Sequence, residues 1–331
     1  MRRLVIKIVV ILALAWGGWW WLGTSGMQRG AKAWLNTLPD QGIEAQVAEW
    51  RSGGFPFRLS TTAQNIQWVS GHPTTQAHIP SATLSTPIHW PGDVRIEIPA
   101  GPLTITHGQN AFTLLTDGVE AEMLLHPTQT LQLEAISAQA DAPSIDLPEG
   151  RLLSAQTFQA QIQQGDDPAT YSVDLTAFGL TFGEILKQGL SLPAAWPTSF
   201  EPIIADMAIT FDRPWDRSAL ESHRPQPRKI SIEQLEAIYA DLGISLTGEL
   251  TVDAAGIPSG LLALNLRNWQ QMFDILVATT DIPPQWRGTV EQVLGALANE
   301  DRNLDLEITL AGGQMRLGFL PLGNAPRLII R

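Results

Sequence analysis

The sequence predicts an α+β fold: a mainly antiparallel sheet of long strands, a few helices packed on it, and one transmembrane helix at the N-terminus. Three observations lead there. Apolar and polar residues alternate over much of the chain after residue 40, turn residues join neighbouring runs by short connections, and residues 4–22 are almost uninterruptedly apolar.

The first segment sets the expected address. Leu4 to Leu22 is broken only by Lys7, close enough to one end to reach the head groups, and the stretch is long enough to span a bilayer. Arg2 and Arg3 precede it, while Trp16, Trp19, Trp20 and Trp21 gather at its far end as an interfacial aromatic belt would. Residues 1–3 are then a cytoplasmic end, residues 4–22 a signal anchor, and the rest is exported to the periplasmic side of a bacterial inner membrane. Ala13-Leu14-Ala15 offers a small-x-small cleavage site, but cutting there would leave a Trp-Gly-Gly-Trp-Trp-Trp start, so an uncleaved anchor is the better reading. Next, Met27, Ala31, Trp34, Leu35 and Leu38 recur at helical spacing between Ser25 and Pro39, predicting an amphipathic juxtamembrane helix over 25–39 that packs on the following domain.

From residue 40 to 331 the chain reads as one β-rich domain. Val94, Ile96 and Ile98, then Val119, Ala121, Met123 and Leu125, then the odd positions from Ile203 to Phe211 mark half-buried strands. In Phe55 to Trp68 the apolar phase moves from odd to even positions, which predicts a bulge near Gln64 and Asn65. Turn signals fall at Gly92-Asp93, Asp117-Gly118 and Asp253 to Gly256. Helices are expected over 181–190, 268–279 and 285–298, the last two joined through Pro283-Pro284 and followed by strands over 304–310 and 315–320. The Pro-rich, charged stretch 212–228 reads as a surface loop that subdivides the domain.

Charge narrows the function. The chain carries −12 overall, yet five of its 21 basic residues and none of its 33 acidic ones lie within residues 1–32, so the remainder holds 16 basic against 33 acidic residues, a net −17. Such a body repels phosphate backbones, which argues against nucleic-acid binding and against attachment through a polybasic patch. The absence of cysteine removes disulfides, thiolate nucleophiles and a lipidated N-terminus. No catalytic, cofactor or metal residue is assigned. Gly256-Ile-Pro-Ser259-Gly260 has the wrong spacing for a nucleophile elbow, and no Walker, dinucleotide-binding or zinc-protease pattern occurs. No pair among His72, His78, His89, His107, His126 and His223 has the helical spacing that converges on a metal; His72 and His78 share a strand parity that Pro73 interrupts. Asp166-Asp167 reads as a turn, and Asp305 with Glu307 as the solvent face of a strand, rather than as paired catalytic carboxylates.

Several local patterns resemble a known family. Gly54-Phe-Pro-Phe-Arg58, the strand Thr247-Gly-Glu-Leu-Thr-Val-Asp253 leading through Gly256-Ile-Pro-Ser-Gly260 to Leu261-Leu-Ala-Leu-Asn-Leu-Arg267, the helix after it, and the closing Pro321-Leu-Gly-Asn-Ala-Pro326 are together similar to a family of bacterial envelope proteins classed only as a domain of unknown function. The Gly248–Gly260 hairpin also resembles those of AsmA-like inner-membrane-anchored proteins, which implies a link to lipid traffic. The family transfers no catalytic residue. In the Gly54–Arg58 motif, Phe55 and Phe57 are expected to be core anchors on one strand face, with Arg58 on the other and paired with a carboxylate.

The expectation is a non-enzymatic, membrane-anchored periplasmic protein that binds lipid or another hydrophobic ligand on an apolar sheet face. The alternatives are an envelope scaffold that binds a protein partner and no ligand, and, more remotely, a hydrolase without a familiar motif.

Overall fold

A computed structural model describes the chain except residues 1, 72–73, 191–198, 222–223, 280–283, 300–302, 319 and 331; expectations for His72 and His223 lie outside the described residues. In chain order the elements are α1 Arg2–Leu35, β1 Ile43–Gly53, β2 Arg58–Ser70, β3 Thr75–Pro87, β4 Asp93–His107, β5 Asn110–Leu125, β6 Leu133–Asp141, β7 Ser144–Leu147, β8 Gly150–Ser154 and β9 Thr157–Gln164. They continue with β10 Thr170–Phe178, β11 Thr181–Phe182, α2 Glu184–Gly189, β12 Ile203–Phe211, α3 Ser218–Glu221, β13 Pro227–Tyr239, β14 Leu242–Val252 and β15 Pro258–Arg267. The last are α4 Trp269–Thr279, α5 Pro284–Leu297, β16 Leu304–Ala311, β17 Gln314–Leu317 and β18 Leu320–Asn324. The fold is mainly antiparallel sheet with few helices, as expected.

Two compact units share these elements: Met1–Leu125 with Ile145–Pro148, and His126–Ser144 with Glu149–Arg331. In the first unit, β1 to β5 form a meander in sequence order, with β7 paired to β5. Gly92 turns the chain into β4 as expected, but Asp117-Gly118 does not separate two strands. It lies inside β5, where Gly118 pairs with Pro99. The Thr116 hydroxyl accepts from Gly118 N and donates to Gly118 O, and the turn-forming residues stay within a continuous strand instead of ending it. The phase change in β2 falls at Asn65, with φ 50°. Gln64↔Ser81 and Ile66↔Ile79 keep one register, so no extra residue is inserted; the left-handed conformation alone changes the buried positions from Thr61 and Ala63 to the half-buried Ile66 and Trp68.

Helix α1 is continuous through Leu35, where the sequence suggested a new helix from Ser25. Thr24 stays in the helix by donating its hydroxyl to the carbonyl oxygens of Trp20 and Trp21, which removes the break. Its length is about 51 Å at ~1.5 Å per residue, well beyond the ~30 Å apolar thickness of a bilayer, and it packs on β1 and β2. Leu38 is buried, Met27, Ala31 and Leu35 are half-buried, Trp34 is exposed, and Lys32 lies 5.8 Å from the centroid of the Trp50 ring.

The Gly54–Arg58 motif departs from its expected place in a strand. Gly54, at φ 90°, opens a tight turn closed by Arg58 N donating to Gly54 O at 2.8 Å, and β2 starts only at Arg58. Phe55 and Phe57 are therefore not core anchors: they are 60% and 72% exposed. Arg58 donates to Ser85 Oγ at 3.1 Å and, among the described residues, has no carboxylate partner.

In the second unit the strands pair in the order β6, β9, β10, β12, β13, β14, β15, β16, β17, β18, with β8 and β11 paired beside them. The expected helix over 181–190 shrinks to α2, because Thr181 and Phe182 pair with Ser154 and Leu153 as strand β11. Helices α4 and α5 occur where the sequence placed them. The stretch 212–228 is not a plain surface loop: it contains α3, buries Ala219 and Pro225, and gives its last residues to β13. Its prolines block regular pairing, yet Trp215 supplies the apolar contact that a reading of periodicity alone does not register.

Candidate functional site: an apolar lane on the second sheet

Strand alternation divides the second sheet into two unlike faces. On one face, cross-strand partners are aliphatic from strand to strand. One row runs Ile136, Ile162, Val173, Met207, Ile232, Gly248, Leu262 and Ile308. The next runs Ala138, Ala160, Leu175, Ala205, Leu235, Leu246, Leu264 and Leu306. On the other face lie Gln161, Asp174, Asp206, Glu249, Asn265, Asp305 and Glu307, with Asn265 donating to Asp305 at 2.6 Å and Lys229 pairing with Glu249 at 3.0 Å.

Keeping the apolar rows aligned needs an irregularity in β13. Its apolar positions are Ile230 and Ile232, then Leu235, Ala237 and Tyr239, a change of parity that a strict two-residue period would turn to the wrong face. A register shift between Ile232 and Leu235 absorbs the extra residue and returns both segments to one face.

Buried clusters lie at the two ends of the strands on this face, and the two rows between them are half-buried. At one end Trp269 and Phe273 of α4 close over Leu304, which is fully buried, with Leu266 and Leu294 beside them. Phe182, Phe200 and Tyr239 add an aromatic cluster with centroids 4.5 to 5.5 Å apart. At the opposite end Tyr171, 1% exposed, forms a polar hub beside Phe211, whose ring meets those of Tyr171 and Trp215 edge to face. Its hydroxyl accepts from Trp215 N at 3.1 Å and Gln164 Nε2 at 3.2 Å and faces Leu133 O at 3.4 Å. Burial pushes the Tyr171 pKa above the ordinary phenol value. Leu250, Val252 and Leu310 are buried nearby, and the C-terminal segment is clamped there by Gln226, whose amide donates to Ile330 O and accepts from Ile330 N.

Between these ends neither row contains a fully buried side chain, and at the margin Phe158 and Ile244 are each 40% exposed. The result is an apolar lane crossing eight strands, about 34 Å at ~4.8 Å per strand. Half-buried aliphatic side chains in such a continuous set form an apolar surface of the kind a hydrophobic occupant can use.

Chemistry is sparse beside it. Among the described residues no group of three His, Asp or Glu converges on a metal-sized site. His107 bonds Thr75 Oγ1 and His126 bonds Gln164 Oε1, while Asp167 accepts from Ala169 N and Thr170 Oγ1 as a turn residue. The sequence pointed to an apolar sheet face but not to the lane, because only pairing registers show which alternating sets fall in line; the parity change in β13 was the readable signal.

No curated protein matches the chain at a significant level. A family model covering residues 20–326 does match, and the chain therefore belongs to the DUF2125 family, described as uncharacterized proteins conserved in bacteria.

Proposed function

We propose that this protein is held in a bacterial inner membrane by α1, with its body on the periplasmic side, and that the lane binds the acyl chains of a lipid without catalysing a reaction. The observation that carries the reading is the lane itself: an aliphatic surface eight strands wide, flanked at the strand ends by buried aromatics and half-buried between them. Helix α1 supports it from a second direction, since it is apolar and long enough to cross a membrane. A lipid-handling protein needs both access to a bilayer and a water-shielding surface for apolar chains. The local resemblance of the Gly248–Gly260 hairpin to AsmA-like proteins accords with the same reading.

The test is photolabelling of the full-length chain in bacterial membranes with a phospholipid that carries a diazirine in its acyl chain, followed by peptide mapping. Labelled peptides from β12 to β16 are expected. Labelling confined to α1 and its immediate contacts would overturn the lane as a lipid site and turn attention to a scaffold that binds a protein partner.

A further inference from the structure

We propose that the turn Gly54–Phe57 is a second membrane contact, in which Phe55 and Phe57 insert into the interfacial layer of the bilayer that α1 crosses. The inference rests on the reading of α1 as a membrane span.

The turn is fixed to the helix at a definite level. Trp16 Nε1 donates to Pro56 O at 2.9 Å, Trp20 Nε1 donates to Arg58 O at 2.7 Å, and the Trp20 and Phe55 rings meet edge to face with centroids 5.5 Å apart. Trp16 precedes Leu22, the end of the apolar stretch, by six residues. At ~1.5 Å per residue that places it about 9 Å inside that end, so a turn bonded to Trp16 cannot stand clear of a bilayer that the stretch spans. Trp19 and Trp21 are exposed on the helix at the same level, and Phe55 and Phe57 continue that aromatic belt onto the turn.

Four carbonyl oxygens of the turn are satisfied within the protein, which lowers the cost of such a position. Non-helical chain near hydrocarbon must satisfy its polar groups within the protein. Gly54 O accepts from Arg58 N, Phe57 O accepts from Ile88 N, Pro56 O and Arg58 O accept the two indoles, and Pro56 has no N–H to satisfy. What the turn presents outward is two phenyl rings. With the body of the chain at net −17, from 16 basic and 33 acidic residues, attraction to anionic lipid is not the means of contact; apolar insertion is.

Because the chain has no cysteine, a single substitution gives a unique labelling site. The full-length protein is reconstituted into phosphatidylethanolamine–phosphatidylglycerol vesicles with a nitroxide at Phe57→Cys, and its accessibility to oxygen and to a water-soluble nickel chelate is read by power saturation. Val10→Cys, on the exposed side of α1, and Ser259→Cys, on the second unit, give the bilayer and water references. The expected result is loss of chelate accessibility with oxygen accessibility retained, as for Val10, and a label at Phe55→Cys reads the same way. A Phe57 label as open to chelate as Ser259, with Val10 protected, overturns the inference and leaves the span standing. Shielding from both reagents also overturns it, since a protein then covers the turn. If the Val10 label is itself open to chelate, the span and the inference fall together.

Discussion

Trp20 donates its indole N–H to the carbonyl oxygen of Arg58 at 2.7 Å, joining the apolar helix to the first residue of β2 across 38 positions of sequence. The same ring meets Phe55 edge to face. Trp20→Phe keeps an aromatic ring and loses the donor, which is expected to cost about 0.5–1.5 kcal/mol. Trp20→Ala loses both and should cost more. Thermal unfolding of the full chain in nanodiscs checks the order; equal effects would mean that the ring contact adds nothing, and an unchanged Trp20→Phe that the hydrogen bond contributes nothing.

Tyr171 borders the lane at the strand ends through a hydroxyl shared among Trp215, Gln164 and Leu133. Tyr171→Phe leaves buried polar groups unpaired and should destabilise the second unit by about 1–3 kcal/mol, measurable by denaturant unfolding. The phenol also gives a pH dependence of known sign. Burial raises its pKa in the folded state, so its contribution is fully present below the unfolded value near ~10 and is lost as pH rises through the higher folded value. Alkaline titration of stability should therefore show a falling limb that Tyr171→Phe reduces; an unchanged limb would assign it to other groups.

Gly260 pairs with Leu250 at φ 151°, and a Cβ there would lie 2.1 Å from Glu249 O. The obstacle is backbone, which cannot rotate away as a side-chain tip can. Gly260→Ala is expected to destabilise the β14–β15 hairpin by about 1–3 kcal/mol from the backbone conformation alone. Hydrogen exchange at the amides of β14 and β15 reads the effect locally, and unaltered protection there would show that the hairpin adapts without strain.

Ala205 lies in the middle of the lane, between Leu175 and Leu235. Ala205→Trp should obstruct the lane while leaving the buried ends intact, so acyl-chain photolabelling of β12 to β16 is expected to fall with little change in melting temperature. Undiminished labelling would place the lipid elsewhere.

Sequence alone determined the class of this fold. Alternation at period two specifies half-buried strands because successive side chains point to opposite faces, and it located β4, β5 and β12; the one-sided apolar spacing of α4 and α5 specified helices for the same kind of reason. It also determined the apolar N-terminal helix, since length and hydropathy depend on no distant contact. Tertiary structure decided what local pattern left open. Asp117-Gly118 has the composition of a turn, but pairing with Pro99 keeps it within the continuous strand β5. Phe55 and Phe57 have the spacing of strand anchors, yet the turn bonded to Trp16 and Trp20 leaves them exposed. The lane exists only because eight registers, including the shift between Ile232 and Leu235, bring separate apolar sets into line. Register is a relation between strands, and a single strand's period cannot encode which partner it meets or at which residue.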